Sequence, residues 1–379
     1  MPYESVEQLQ QALTSSIFGY AKDAKKAAGR ALGTIVEIIA FYLLESWGFH
    51  RAVAIERRIP EFGNCEITHN IEYSLHPIFA EFVVRIDHKG QPLTAYNVLK
   101  GLAAQGEFGQ FNRLSNTLLT KDGILRNACT LACNADSCLV ASIIERTDQW
   151  SVVSIAQQSI KPYAILECKR VGVEDGAKKG PQTIEKAKQG AYVARSVSSL
   201  QKVRLENGEL YGVVYQNGVV IHSAPYRELF EFIIKANDPQ LLRHFVLTAG
   251  IVSNHGNWFT GDDHNKELKV LAQSYDWLIF LTDEGIKQFI EDVILSPSSE
   301  YRGIQSAFIA SYAPNKTKNQ FTKVQINIEA HEQLIRYFIA NADRISSWFN
   351  VIAPYGGTLT RLKTDIEILK NKPWGEILQ

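Results

Sequence analysis

The chain has 379 residues, 45% of them hydrophobic, with 40 basic and 40 acidic side chains that cancel. That length and apolar content supply a substantial core and exclude a disordered or collagenous chain. A zero net charge excludes the uniformly basic surface of a non-specific nucleic-acid binder, so any such partner has to be met by a local patch. The first residues, MPYESVEQLQ, lack a basic stretch leading into an apolar run. No secretory signal is predicted, and a cytoplasmic, bacterial intracellular location is expected. Residues 31–49 are the most apolar run but contain Glu37 and Glu45, which points to a buried helix and to no membrane partner. Five cysteines are too few and too irregular for a disulfide scaffold. Cys129, Cys133 and Cys138 lack a fourth ligand for zinc and are expected as buried thiols.

Helices are predicted over residues 5–14 and 21–47, the second ended by Gly48, and strands over 52–59, 65–74 and 80–87. Residues 101–120 mix helix and loop, and 124–133 and 137–144 are extended. Residues 147–160 fit a strand or a helix. As a helix, Thr147 is the N-cap and Asp148 lies in the first turn, with Trp150, Val153 and Ile160 at helical spacing. A short buried strand at 164–168 and a helix from 182 to 196 follow. Asn217-Gly218 between two β-rich runs predicts a tight hairpin. Helices at 226–235 and 239–243 and strands at 245–252 and 277–282 complete this part, and the remainder is mostly helical with an extended section near 303–328. The pattern gives an α/β (α+β) fold, with residues 1–290 as a core and 291–379 as a helical C-terminal part of the same or a separate domain.

The most informative stretch is KPYAILECKRVGVEDGAKKG, from Lys161. An apolar run ends by placing Glu167 and Lys169 on one side of a strand, with Cys168 turned to the other. Burying those charges costs free energy unless they act on something. Between Lys161 and Arg204 there are ten Lys or Arg (Lys161, Lys169, Arg170, Lys178, Lys179, Lys186, Lys188, Arg195, Lys202, Arg204) and four acids (Glu167, Glu174, Asp175, Glu185). The surplus of six is the steepest charge bias of the chain. Other acid-x-Lys pairs, at Asp23, Asp87 and Glu267, lack the combination of apolar strand, basic flank and following helix.

Glu167-Cys168-Lys169 in this setting resembles the PD-(D/E)xK nucleases, particularly bacterial type II restriction endonucleases. The resemblance implies a central mixed β-sheet flanked by helices, extra helical and hairpin elements, Mg²⁺ with Mn²⁺ as a substitute, and hydrolysis of phosphodiesters in double-stranded DNA by a homodimer. It further implies a partner acid on the preceding strand. Asp136, in NADSCLVAS, meets Glu167 if 147–160 is a helix and strands 137–144 and 164–168 are neighbours; Asp148 is the alternative. Ala135 stands where the family usually has proline. Asp136 and Glu167 would bind metal and Lys169 would activate water. Glu37, among Ile and Val on the first long helix, matches a helical metal-site glutamate, and an ordinary surface charge explains it equally.

Arg170, Lys178, Lys179, Gln182, Lys186, Lys188 and Gln189 are expected at the DNA backbone. Asn254, His255 and Asn257, in the polar run SNHGNWFTGDDHN, are expected at bases or backbone. The rival readings are a non-catalytic nucleic-acid-binding protein on the same fold and a repair or resolvase-type nuclease.

Overall fold

The computed structural model describes residues 13, 24–106, 109–172, 181–255, 266–312 and 319–379. The first long helix, α1, spans Ala24–Ser46. Strands β1 (Val53–Glu61), β2 (Asn64–Leu75), β3 (Ile78–Asp87) and β4 (Leu93–Thr94) lead to α2 (Ala95–Ala103). Next come β5 (Asn112–Arg113), β6 (Thr117–Leu119), β7 (Ile124–Arg126), β8 (Cys129–Cys133), β9 (Ser137–Arg146), β10 (Trp150–Ser159) and β11 (Ala164–Gly172). Helix α3 (Pro181–Ser196) precedes β12 (Leu200–Arg204), β13 (Leu210–Gln216) and β14 (Val219–Pro225). After α4 (Tyr226–Lys235) and α5 (Pro239–Leu242), β15 (Leu247–His255), α6 (Lys266–Ser274) and β16 (Trp277–Leu281) form a parallel unit. The rest is α7 (Asp283–Ile290), α8 (Arg302–Tyr312), β17 (Gln325–Asn327), α9 (Ile328–Ala340), α10 (Ala342–Ser346), β18 (Phe349–Ala353), α11 (Leu359–Lys370) and α12 (Trp374–Ile377), with short π and 3₁₀ turns after α7. The fold is mixed α+β.

The chain divides into two interleaved units: residues 1–55, 78–160 and 282–348 in one, 56–77, 161–281 and 349–379 in the other. The units are discontinuous because segments distant in sequence complete the sheets β17-β7-β6-β4 and β1-β2-β11-β15-β16-β18.

The first unit holds the sheets β3-β10-β9-β8-β5 and β17-β7-β6-β4. Here the structure decides between strand and helix at 147–160, against the helix on which the Asp136 pairing depended. Those residues form β10, paired antiparallel with β3 on one edge and β9 on the other. Thr147 does cap, but its hydroxyl accepts from Gln149 N–H and Trp150 N–H, both at 3.2 Å, to close the β9–β10 turn. The same side-chain chemistry serves a tight turn and a helix start. The expected thiols at Cys133 and Cys138 are also corrected: opposed across the β8–β9 hairpin, they form a disulfide. Cys129 is a buried thiol, pushed up to about 12 by burial.

Two titratable groups of this unit lie against its helices. Burial pushes the Glu45 carboxyl of α1 up to about 8. It pushes the His331 imidazole of α9, hydrogen-bonded through Nδ1 to the Tyr42 hydroxyl at 2.8 Å, down to about 4. The signs oppose. Glu45 contributes stability below its unfolded value that is lost as pH rises through 8. His331 costs nothing above its unfolded value, and stability is lost as pH falls towards 4. Glu45→Gln should therefore gain about 1–3 kcal/mol over the parent at pH 9 but not at pH 5. His331→Gln should flatten the acid side, both read from urea midpoints across pH.

The second unit is built on the six-stranded mixed sheet β1-β2-β11-β15-β16-β18. β11 pairs antiparallel with β2 and parallel with β15, and β16 pairs parallel with β15 and antiparallel with β18. Ala191 and Ala194 of α3 and Leu271 of α6 pack with Val252, Tyr275, Leu278 and Phe280 in one buried cluster. The small residues on α3 bring the helix close to the sheet. The expected hairpin is β13–β14, with Asn217 (φ 50°) and Gly218 (φ 78°) at its turn in the left-handed region that a primed turn needs. Among the described residues, no helix is long and apolar enough to cross a membrane.

Candidate active site

β11 begins as a fully buried strand, Ala164, Ile165 and Leu166, because it is hydrogen-bonded on both edges and covered by α3. Glu167 continues it at 4% exposure, Cys168 is buried on the other side, and Lys169 is half-buried. The ladder to β2 is confined to three positions, Ala164–Leu75, Ile165–Ser74 and Leu166–Tyr73. One residue beyond it, the Glu72 N–H donates instead to Glu167 Oε1 at 3.1 Å. The end of a ladder thus supplies a backbone donor to a buried carboxylate.

Glu72 is itself buried, at 8% exposure. Lys169 Nζ lies 3.2 Å from Glu167 Oε2 and 3.6 Å from Glu72 Oε2. One ammonium therefore stands between two carboxylates. Burial raises the Glu167 carboxyl above the usual carboxylate range, while the Lys169 ammonium and then His69 pull it back. His69, three residues along β2 from Glu72, has Nε2 3.1 Å from Glu61 Oε2, and the Tyr192 hydroxyl of α3 donates to the same oxygen at 3.2 Å.

Tyr275, 2% exposed, is a neighbour of Glu167, and burial and then the Glu167 charge push its hydroxyl well above its ordinary value. Two glycines make room for that ring. A Cβ at Gly250 on β15 would stand 2.8 Å from the ring, and one at Gly190 on α3 would stand 2.6 Å from its hydroxyl and 3.7 Å from Glu167 Cβ.

Several expected residues lie elsewhere. Asp136 sits exposed in the β8–β9 turn, which Asn134 Oδ1 closes by accepting from Asp136 N–H at 3.0 Å and Ser137 N–H at 2.7 Å. The strand pairing that would bring it to Glu167 is not formed: β9 pairs with β8 and β10, and β11 with β2 and β15. Asp148 lies in the β9–β10 turn. Glu37 of α1 is met by the buried Lys323 ammonium at 3.5 Å, so a lysine supplies the cation that its setting calls for. Arg170 falls on β11, Gln182, Lys186, Lys188 and Gln189 on α3, and Asn254 and His255 at the end of β15. Lys178, Lys179 and Asn257 lie outside the described residues.

Glu72 escaped the sequence reading, yet it carried the signal that marked Glu167. In NIEYSL a carboxylate interrupts an apolar strand between Ile71 and Tyr73, both fully buried. Among the described residues, no group of three or more His, Cys, Asp and Glu is gathered around one point that a metal could occupy. The donor set of Glu72 and Glu167 nonetheless fits Mg²⁺, a hard cation that takes one or two carboxylates and completes its shell with water and phosphate oxygens. In comparisons with known proteins, no family model, curated protein or solved structure matches the chain.

Proposed function

We propose that the chain is a Mg²⁺-dependent endonuclease that hydrolyses phosphodiesters in double-stranded DNA, in the manner of a restriction enzyme. The observation that carries this reading is the convergence of Glu72, Glu167 and Lys169 at the end of a buried ladder. Two acids and a lysine on adjacent strands are the functional groups of a PD-(D/E)xK centre, with Glu72 in the role that the sequence assigned to Asp136.

Glu72 and Glu167 would hold Mg²⁺, which when bound supplies positive charge at the scissile phosphate and lowers the pKa of coordinated water. Lys169 would donate a hydrogen bond that holds the attacking water in line and stabilises the hydroxide left when that water passes its proton to solvent, and solvent would return a proton to the leaving 3′-oxygen. The N–H of Glu72 fixes the rotamer of Glu167. Tyr275 and the close approach of α3 exclude water from its far side. DNA backbone contacts are assigned to Arg170, Lys186 and Lys188, and a homodimer would cut both strands. The products would carry 3′-hydroxyl and 5′-phosphate ends.

The test is incubation of the protein with phage DNA, with and without Mg²⁺. Discrete fragments that need the metal support the reading. Salt-sensitive binding without cutting under any metal overturns it in favour of a non-catalytic binder in which Lys169 is only an ion-pair partner. Asp136→Asn should cut at the parental rate, since an exposed turn carboxylate has no part in this centre. A hundredfold loss in that variant would return the metal site to Asp136.

A further inference from the structure

A concavity of the unit built on the six-stranded sheet, about 960 Å³, opens between the β1–β2 turn, the β13–β14 turn and the segments that lead into β11 and β15. Its size falls within the range of small-molecule sites, and its wall has the usual make-up of an apolar surface with a few polar groups. The floor is aliphatic: Ile59, Val197 and Val246 belong to a buried cluster that also contains Ile71 and Ile165. Three basic side chains, Lys161, Arg243 and His244, line the opening against one carboxylate, Glu61. That carboxylate already accepts from Tyr192 and meets His69.

One of the cations and the imidazole's backbone are held in place. Arg243 Nε donates to the Ile377 carbonyl at 3.1 Å, and the His244 carbonyl accepts from Ser199 N–H at 2.9 Å. The His244 ring lies 5.6 Å from the Phe62 ring, and Phe62 N–H donates to the Ser196 carbonyl at 2.7 Å, so the hairpin tip is tied over the end of α3. Burial, then the charges of Lys161 and Arg243, lower the His244 pKa. Amide side chains come from both turns, Asn64 on one and Gln216 on the other.

We infer that this concavity is a binding site for a nucleoside monophosphate. A ligand that suits it must carry an anion for Lys161 and Arg243, a flat apolar body for Phe62 and His244 over the aliphatic floor, and a hydrogen-bonding edge for Asn64 and Gln216. Inorganic phosphate answers the first requirement alone, and an aromatic carboxylate lacks the third. A nucleotide meets all three: phosphate held as a charge-assisted contact, base stacked on one of the two rings, which are tilted 52° to each other, and edge read by amides. The nucleotide can be free or can belong to a polynucleotide, since the recognising chemistry is the same.

Isothermal titration with adenosine, guanosine, cytidine and thymidine 5′-monophosphates tests this without any need for DNA cleavage. At least one nucleotide should bind ten times or more tightly than its nucleoside or inorganic phosphate. Lys161→Gln should reduce that nucleotide to the level of the nucleoside. Phe62→Ala should reduce it to the level of phosphate, with an unchanged melting curve as the check on folding. Because Phe62 stands at a turn, photo-crosslinking by 8-azido-adenosine 5′-monophosphate gives a second readout: label should appear in residues 59–65 or 215–218. A single-stranded oligonucleotide that displaces the bound monophosphate assigns the site to a nucleotide of the polymer, and failure to displace it assigns the free nucleotide. Equal affinity for nucleotide and phosphate, or label confined to other segments, overturns the inference.

Discussion

In single-turnover assays at saturating Mg²⁺, Glu72→Gln and Lys169→Met should each cut DNA at least about a hundredfold more slowly than the parent, the loss expected for a group that acts directly on the reacting atoms. The two variants separate catalysis from a structural ion pair. Lys169 is shared between Glu167 and Glu72 at 3.2 and 3.6 Å. If it serves only to neutralise them, its removal takes the ammonium from the buried Glu167 carboxylate and lowers stability by up to about 3–5 kcal/mol. Cleavage per folded molecule would then be unchanged. If it acts on water, added Mg²⁺ restores the melting temperature of Lys169→Met without restoring the rate. Glu72→Gln keeps the N–H bonded to Glu167 and changes only the carboxylate. A full rate in Glu72→Gln would remove it from the metal site.

The second large effect is expected at Gly190. In an exposed helix, Gly→Ala normally gains about 1 kcal/mol from reduced backbone freedom. Here a Cβ would stand 2.6 Å from the Tyr275 hydroxyl, and the ring cannot withdraw because its other side already fills the space over Gly250. Overpacking of a tight core costs about 1–3 kcal/mol, enough to reverse the sign. Gly190→Ala should thus lower the urea midpoint and, by moving α3 away from Glu167, slow cleavage per folded molecule. Tyr275→Phe in the same chain removes the clashing oxygen and should recover much of both. A more stable Gly190→Ala would show that the helix does not need this close approach.

Glu167 and Lys169 were legible in the sequence because the period of a strand is independent of its neighbours: positions two apart share a side wherever the strand lies. The Asn217-Gly218 hairpin was legible for a similarly local reason, the backbone angles that only certain residues adopt cheaply. Helix α1 and the strands β1 to β3 followed from apolar spacing over a few residues.

What failed was pairing. Thr147 signals a cap in either a helix or a hairpin, and Trp150–Ser159 is so largely buried that neither alternation nor helical spacing stands out. Its two flanking partners, β3 and β9, decide it. The same is true of the partner acid. A helix at 147–160 would have made strands 137–144 and 164–168 neighbours and brought Asp136 to Glu167. β2 nonetheless occupies the edge of β11, and its ladder ends one residue short of Glu72. Local chemistry determined which side chains were anomalous in a buried strand. Only the tertiary structure decided which of them meet, because strand order is set by the burial of whole faces and not by any property of the residues that come into contact.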